Sequence, residues 1–186
     1  QEEKDAFFGP PLQVSFRRYF HEETMVEKAI QVYREYNVAH HDEYVRPFEG
    51  AKDTLAALHQ MGYPLAVVSN KMKDVVMMGL HHTQLESYFD AVLGGDELQK
   101  PKPDPSGLIQ ACQQLGRGRD DVIYVGDSII DIQAAKEMDA YSVAVAHDLT
   151  REEQLKQAKP CRLIHDLQEL ISVVKEEHEW NDTTIL

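Results

Sequence analysis

Cysteine, positive charge and long apolar runs are all scarce in this sequence. Its 186 residues contain only Cys112 and Cys161, and neither lies in a CxxC or zinc-ligand spacing. This scarcity argues against a disulfide framework and favours a reducing cytoplasm. No apolar run approaches the roughly 20 residues that cross a bilayer, and residues 1–4 do not resemble a secretory signal. We therefore expect neither a membrane span nor a signal peptide.

Acidic residues outnumber basic ones. The sequence has 19 lysines and arginines against 32 aspartates and glutamates, so its formal net charge is −13. Such a surface repels the phosphates of nucleic acids and the headgroups of anionic membranes. A small substrate is therefore favoured over a nucleic acid, and an anionic substrate requires positive charge or a metal ion inside its pocket.

Short apolar strands that alternate with helices predict an α/β fold after Pro47. Helices are expected over residues 51–61, 74–81, 105–115, 129–138 and 167–175, and strands over residues 65–69, 91–93, 122–125, 142–145 and 162–164. Strands that are apolar throughout are typical of a parallel sheet covered by helices on both faces. The predicted fold class is a Rossmann-like, doubly wound parallel sheet.

The chain before Pro47 predicts a small helical unit. Apolar residues recur there at three- and four-residue spacing between residues 22 and 45, which is the period of an amphipathic helix. We interpret Gly9, Pro10 and Pro11 ahead of this helix as a rigid connection. The predicted organisation is a helical unit at residues 1–46, an α/β core at residues 47–175 and an acidic tail at residues 176–186.

Candidate functional residues stand where the predicted core strands end. The first strand ends in Ser69 and Asn70, the second leads to Lys100 and Lys102, and the third leads to Asp127. Ligands of parallel α/β sheets bind at the carboxyl ends of the strands. We therefore expect a hydroxyl, an ammonium and a carboxylate to converge on one edge of the sheet.

Asp127 and Asp131 lie four residues apart at the start of a predicted helix, so both can face one point. Two carboxylates that close repel each other unless a cation or a proton lies between them. Mg²⁺ takes oxygen ligands and keeps several waters, and it meets this need. In the alternative interpretation Asp127 is a helix N-cap and Asp131 is a first-turn acid that complements the helix dipole.

Ser69, Asn70 and a lysine are the candidates for binding a phosphate. The Ser69 hydroxyl can donate to a phosphate oxygen, beside the backbone N–H groups of the turn that begins at Asn70. Lys102 precedes Pro103, which starts the turn into the next helix and restrains the lysine. Lys102 is therefore preferred, and Lys100 is its rival.

Other charged residues are weaker candidates. Arg17 and Arg18 could form a cationic lid over an anionic substrate, although exposed arginines are common. The adjacent pairs His40–His41 and His81–His82 cannot share a metal as an i, i+4 pair would, and we expect them to be solvated.

Three motifs follow one another on this predicted sheet: VVSN at residues 67–70, KPDP at residues 102–105 and GDSIID at residues 126–131. In this order they resemble motifs two, three and four of the haloacid dehalogenase (HAD) superfamily, and the resemblance extends over residues 47–171. The helical segment before them is similar to the inserted cap domain of phosphoglycolate phosphatases and β-phosphoglucomutases. Within it, FFGPPLQVSF and VYREYNVAHHDEYVRPFEG are especially similar to PpaX-type pyrophosphatases.

The resemblance implies a Mg²⁺-dependent phosphatase. In that family pattern Asp127 binds the metal, Asp131 supports the metal or orients Lys102, and Lys102 and Ser69 grip the phosphoryl group. The family's nucleophile is the first aspartate of a DxDGT motif, which occurs nowhere in these 186 residues. The family pattern puts that motif upstream of Gln1, with the first strand and the front of the cap. We therefore expect no turnover from this chain alone.

Several functions stay open at this point. A pyrophosphatase is favoured, a phosphoglycolate phosphatase is second, and a phosphomutase shares the same chemistry. The alternative of another class is a protein that kept the phosphate pocket and binds or regulates without catalysis. An upstream DxDGT motif would favour the enzymes, and a true start at Gln1 would favour the binding protein.

Overall fold

The computed structural model describes Phe7, residues 9–176 and Thr184–Ile185, and a helical unit comes first. The helix predicted between residues 22 and 45 is confirmed, with a break at His40, where φ is −112° and ψ is 9°. Val26 and Ile30 form the buried stripe of this helix. The helices of the unit are α1 (Leu12–Phe16), α2 (Glu23–Ala39) and α3 (His41–Tyr44).

The α/β core alternates helices and strands as predicted. In chain order its elements are α4 (Ala51–Gln60), β1 (Ala66–Val68), α5 (Lys73–His82), β2 (Ala91–Leu93), α6 (Ser106–Leu115), β3 (Val122–Gly126), α7 (Ile129–Glu137), β4 (Tyr141–Val145), α8 (Glu152–Gln157), β5 (Arg162–Ile164), α9 (Glu169–Glu176) and β6 (Thr184–Ile185). Every helix and strand predicted for the core is present, with bounds within two residues of the prediction. The short helix α8 and the strand β6 are additional. Among the described residues, no helix combines the length and apolarity of a membrane span.

All strand pairs in the two sheets are parallel. One sheet has the order β5–β4–β3–β6 and the other consists of β1 and β2. A single bridge between Leu65 and Ile185 connects them, so β6 lies between β1 and β3. Parallel strands share one carboxyl edge, and the residues that follow β1, β2 and β3 therefore meet there.

The strands bury both faces, which confirms the doubly wound class. On one face Val122 and Tyr124 of β3 pack with residues of α6 and α7. On the other face Ile123 packs with residues of α4 and α9, because successive side chains of a strand point to opposite faces. Two helical layers thus fix the positions of the loops at the carboxyl edge.

The space between β1 and β3 is only partly filled. β6 pairs with Val122 and Ile123 at the amino end of β3, and Ile185 is buried there. An apolar cavity of about 280 Å³ borders Ile185 and is lined by both strands, including Val68 and Val125. Residues 177–183 and 186 of the predicted acidic tail lie outside the described residues.

Asp42 connects the helical unit to the core through two histidines. The expectation that the histidine pairs are solvated is wrong for His41, which is buried. The Asp42 Oδ1 lies 2.9 Å from Nδ1 of His41 and 3.3 Å from Nδ1 of His82, which belongs to the core helix α5. The hydrogen bond with His41 lowers the pKa of the Asp42 carboxyl below its ordinary value. One carboxylate therefore joins the two parts of the molecule.

Leu108 offers a test of how well the core between α6 and the sheet is packed. Its side chain is 0% exposed, so Leu108→Ala should cost about 3 kcal/mol through lost burial and a residual cavity. In a protein of this size, that cost lowers the melting temperature by roughly 6–12 °C. The matched control is Ile109→Ala in the same helix, where the side chain is 42% exposed. Equal melting temperatures for the two variants in a calorimetric scan would contradict the assigned packing.

Candidate active site

Lys102 and Asp131 form a buried ion pair at the carboxyl edge of the sheet. The Lys102 Nζ lies 2.7 Å from Asp131 Oδ1, and only 10% and 8% of the two side chains are exposed. Lys102 comes from the loop after β2 and Asp131 from the first turn of α7, so the fold joins two distant segments. The rival Lys100 is 72% exposed and lies 3.4 Å from Asp104. Of the two lysines, Lys102 is the one that contacts Asp131.

Three protein oxygens hold the Lys102 ammonium. Besides Asp131, Nζ donates to the Val68 carbonyl oxygen at 2.9 Å and to the Tyr124 hydroxyl at 2.9 Å. Val68 is the last residue of β1, so the ammonium lies beside the position where Ser69 begins the next turn. An ammonium has three N–H donors. A phosphate oxygen at Lys102 would therefore replace the carbonyl or the hydroxyl as an acceptor.

Both oxygens of the Asp131 carboxylate accept hydrogen bonds. Oδ1 accepts from Lys102 and, at 3.2 Å, from the Tyr124 hydroxyl, whereas Oδ2 accepts from the Ser128 hydroxyl and, at 3.1 Å, from the Ser128 N–H. Ser128 and Asp131 form a capping box, so Ser128 rather than Asp127 is the N-cap of α7. Gly126 permits this arrangement, because a Cβ there would lie 2.2 Å from the Cβ of Asp131.

Burial and charge oppose each other at this carboxylate. Burial raises the pKa of the Asp131 carboxyl, but the Lys102 charge and the hydrogen bonds from Lys102, Ser128 and Tyr124 outweigh it, and the pKa lies below its ordinary value. Burial and the adjacent Asp131 charge raise the pKa of Tyr124 well above its ordinary value. Asp131 is therefore a carboxylate, and Tyr124 a neutral phenol, across the physiological pH range.

Replacing Asp131 by asparagine should destabilise the protein by about 3–5 kcal/mol at neutral pH, because Lys102 loses its buried counter-charge. The pKa of Asp131 is lowered in the fold, so its contribution is present above the ordinary carboxyl pKa of about 3.9 and is lost as the pH falls below that value. Urea unfolding of both proteins between about pH 3 and pH 7 measures the difference. A difference that does not shrink at the acid end would show that the ion pair is not its source.

Asp127 and Ser69 lie at the same edge in more open surroundings. Asp127 follows β3 and is exposed, whereas Ser69 is half-buried and its Oγ accepts the N–H of Lys71 at 3.1 Å. Within the part of the chain that the structure describes, no three His, Cys, Asp or Glu side chains are arranged to hold a metal. Since Asp131 is turned toward Lys102, the two predicted metal ligands play different parts: Asp127 faces solvent and Asp131 holds the lysine.

The side-chain amide of Asn70 forms hydrogen bonds with backbone groups of two other segments. Oδ1 accepts the Lys102 N–H at 2.8 Å, and Nδ2 donates to the carbonyl oxygens of Lys102 at 3.2 Å and of Gly9 at 3.0 Å. The phosphate contact predicted for Asn70 would therefore use its backbone. Of the two arginines predicted to form a cationic lid, Arg17 Nη2 pairs with Glu23 Oε1 at 2.7 Å on the surface, and Arg18 is exposed. The lid stays a prediction.

Sequence reasoning missed Tyr124 and Ser128, although each carries a recognisable signal. A tyrosine inside a fully apolar strand needs a hydrogen-bond partner for its hydroxyl, which indicates a polar neighbour. A serine three residues before an acidic residue at the start of a helix is similar to a capping box. Both signals point to Asp131 as the shared partner.

Sequence comparison relates the chain to known proteins. Residues 1–145 match the family described as "Haloacid dehalogenase-like hydrolase". Pyrophosphatase PpaX of Halalkalibacterium halodurans is 34% identical over 173 residues, which are 92% of this chain and 80% of the relative. Pyrophosphatase PpaX of Listeria innocua is 33% identical over 171 residues, which are 92% of this chain and 78% of the relative.

Structural comparison agrees with the sequence comparison. A solved structure described as a "predicted phosphatase" from Clostridium acetobutylicum superposes with a TM-score of 0.83 at 28% identity. The superposition covers 94% of this chain and 82% of the solved one. The sheet edge that holds Lys102, Ser69 and Asp127 therefore belongs to a fold that this chain shares with the Clostridium acetobutylicum protein.

Proposed function

We propose that this chain, which belongs to the haloacid dehalogenase-like hydrolases, is part of a phosphatase. The complete protein hydrolyses a small anionic phosphate with Mg²⁺, and inorganic pyrophosphate is the first candidate. The observation that carries this proposal is the buried Lys102–Asp131 pair at the carboxyl edge of the sheet, beside Ser69. A lysine held rigidly at such a point can neutralise a transferring phosphoryl group. It supplies the local positive charge that a protein of net charge −13 needs for an anionic substrate.

Lys102 and Ser69 bind the oxygens of the transferring phosphoryl group. Lys102 contributes a full positive charge, and the Ser69 hydroxyl donates a hydrogen bond. Asp131 orients Lys102 through their 2.7 Å contact, and Tyr124 keeps the same ammonium from turning away. Because these groups are fixed before the substrate arrives, they do not have to reorganise during the reaction.

Asp127 is the side chain of this chain that would hold Mg²⁺. Its exposed carboxylate after β3 fits the oxygen preference of the ion, with waters and a phosphate oxygen as further ligands. Asp131 supports the site indirectly, since its two oxygens are already hydrogen-bonded. When bound, the ion supplies positive charge against the phosphoryl oxygens.

We assign the nucleophile to an aspartate on a parallel strand in the gap between β1 and β3. The apolar cavity of about 280 Å³ in this gap supports the assignment. The relatives are also longer, since the match with this chain covers 80% of the Halalkalibacterium halodurans protein. Such a strand would use the β3 groups that now pair with Thr184–Ile185. The carboxylate of its aspartate would attack phosphorus and displace the leaving group, which is inorganic phosphate when the substrate is pyrophosphate. Water would then hydrolyse the aspartyl phosphate to the free aspartate and a second inorganic phosphate.

Pyrophosphate ranks first because two relatives of this chain are named pyrophosphatases. A phosphoglycolate phosphatase, a phosphomutase and a catalytically inactive phosphate-binding protein are the other outcomes of the test. We propose a cytoplasmic location, because a reducing compartment suits the two free cysteines, Cys112 and Cys161.

Release of inorganic phosphate by the complete protein tests the proposal. Pyrophosphate, phosphoglycolate and a hexose phosphate are offered in parallel, with Mg²⁺ and with excess EDTA. We expect the highest kcat/KM with pyrophosphate and no release after EDTA. A higher value with phosphoglycolate would change the substrate, and conversion between hexose phosphate isomers would indicate a mutase. Phosphate binding without any turnover would favour the inactive alternative.

A further inference from the structure

Asn70 connects two segments that are distant in sequence. Its Nδ2 donates to the carbonyl oxygens of Gly9 and Lys102 at 3.0 and 3.2 Å, while its Oδ1 accepts the Lys102 N–H at 2.8 Å. A side-chain amide has two N–H donors and one carbonyl acceptor. Every polar group of this amide is therefore engaged, and its orientation is fixed by bonding to one N–H and two carbonyl groups.

The turn at Gly9 lies against the candidate active site. Gly9 has a φ of +99°, and a Cβ there would lie 3.1 Å from the Ser128 Oγ and 3.1 Å from the Ile130 side chain. Ser128 binds Asp131, so the turn touches the loop after β3 as well as Asn70 after β1. The turn thus contacts the loop that leads to Asp131 and, through Asn70, the loop that follows β1.

Aromatic contacts tie this turn to the helical unit. The ring of Phe7 lies 5.1 Å from that of Phe16, and the ring of Phe16 lies 6.2 Å from that of Tyr33 in α2. The segment that leads into the Gly9 turn is therefore packed against the helical unit. The Asn70 amide at the sheet edge donates a direct hydrogen bond to the Gly9 carbonyl oxygen of this turn.

We propose that Asn70 is a positioning residue that latches the Gly9 turn of the helical unit onto the sheet edge and, with the same amide, fixes the backbone of Lys102. The position of the Gly9 turn and the position of Lys102 are then coupled, because both depend on the Asn70 side chain. This inference rests on the proposed function only in giving Lys102 a catalytic task. The latch itself is a property of the fold.

Hydrogen–deuterium exchange of the complete protein without substrate tests the latch. In Asn70→Ala, the amides of residues 12–20 and 98–104 should exchange about tenfold faster, because the mutation removes the hydrogen bonds to Gly9, which leads into the first segment, and to Lys102 in the second. Residues 122–126 in the central strand should remain as protected as in the wild type, which excludes general unfolding. The control is Lys71→Ala, an exposed neighbour, and it should exchange like the wild type. Wild-type exchange in either segment of Asn70→Ala would overturn the proposal.

Kinetics separates a positioning role from a merely structural one. With pyrophosphate, Asn70→Ala should lower kcat about tenfold while KM stays within about twofold, since a displaced Lys102 acts mainly on the transition state. Unchanged kcat with accelerated exchange would overturn the coupling to Lys102. If the wild type hydrolyses none of the phosphates, the proposed function fails, and the exchange measurement still decides whether Asn70 is the latch.

Discussion

Replacing Lys102 by alanine in the complete protein should reduce kcat for Mg²⁺-dependent phosphate release by about a thousandfold. The Lys102 side chain is 10% exposed and its ammonium is held by three oxygens, so its charge is fixed at one point of the sheet edge. No water that enters the space can supply an equivalent positive charge against the phosphoryl oxygens. The measurement is initial-rate phosphate release at saturating pyrophosphate, with Mg²⁺ constant.

Two further variants separate lost chemistry from lost folding. Lys102→Ala leaves Asp131 buried without its counter-charge, which costs about 3–5 kcal/mol, so thermal unfolding of the variant is measured beside its activity. Lys102→Arg keeps a positive charge for Asp131 but replaces a compact ammonium by a planar guanidinium, and it should fold with most activity lost. Lys100→Ala is the matched control, because Lys100 is 72% exposed, and it should leave kcat unchanged. Near-normal turnover in a folded Lys102→Ala protein would overturn the assignment of this lysine.

Asp127→Asn should lower kcat/KM by at least about a hundredfold, together with the apparent affinity for Mg²⁺. An amide is the same size as a carboxylate but carries no charge, so it is a much poorer ligand for a hard cation. Because Asp127 is exposed, the free energy of unfolding should change by less than about 0.5 kcal/mol. The effect is therefore expected on the reaction and not on the fold.

A magnesium titration of the initial rate checks this second prediction. Asp120→Asn serves as the control, since Asp120 is also an exposed acid at the surface of the core. It should leave both the rate and the magnesium midpoint unchanged. A wild-type magnesium midpoint in Asp127→Asn would remove Asp127 from the metal site and leave the Lys102 prediction standing.

Local sequence patterns predicted the core of the fold because local and tertiary preferences agree there. The strands at Ala91–Leu93 and Arg162–Ile164 have the predicted bounds. The first is an apolar run between Asp90 and Gly94, and the second ends before the polar residues His165 and Asp166. The long helix breaks at His40, where the sequence has no glycine or proline that would indicate a helix end. β6 depends on pairing with β3, which is far away in sequence, so no local periodicity indicates it.

The residues of the candidate site could be predicted from the sequence, but the contacts between their side chains could not. The rule that ligands bind beyond strand ends selects Ser69, Lys102 and Asp127 from the sequence alone. The pattern left open whether Asp131 supports a metal or orients Lys102. Only the path of the loop after β2 brings Nζ within 2.7 Å of Asp131. The use of the Asn70 amide was equally hidden, because both of its partners are backbone groups of distant segments.

The central claim is that phosphoryl transfer proceeds through an aspartate on a strand that fills the gap between β1 and β3. Acid quenching of the complete protein during turnover of radiolabelled pyrophosphate tests it most directly, followed by mapping of any label bound to the protein. The account predicts one labelled aspartate outside residues 9–176, and much weaker labelling in Lys102→Ala. Label on Ser69 or Asp127, or rapid turnover without any covalent label, would contradict it.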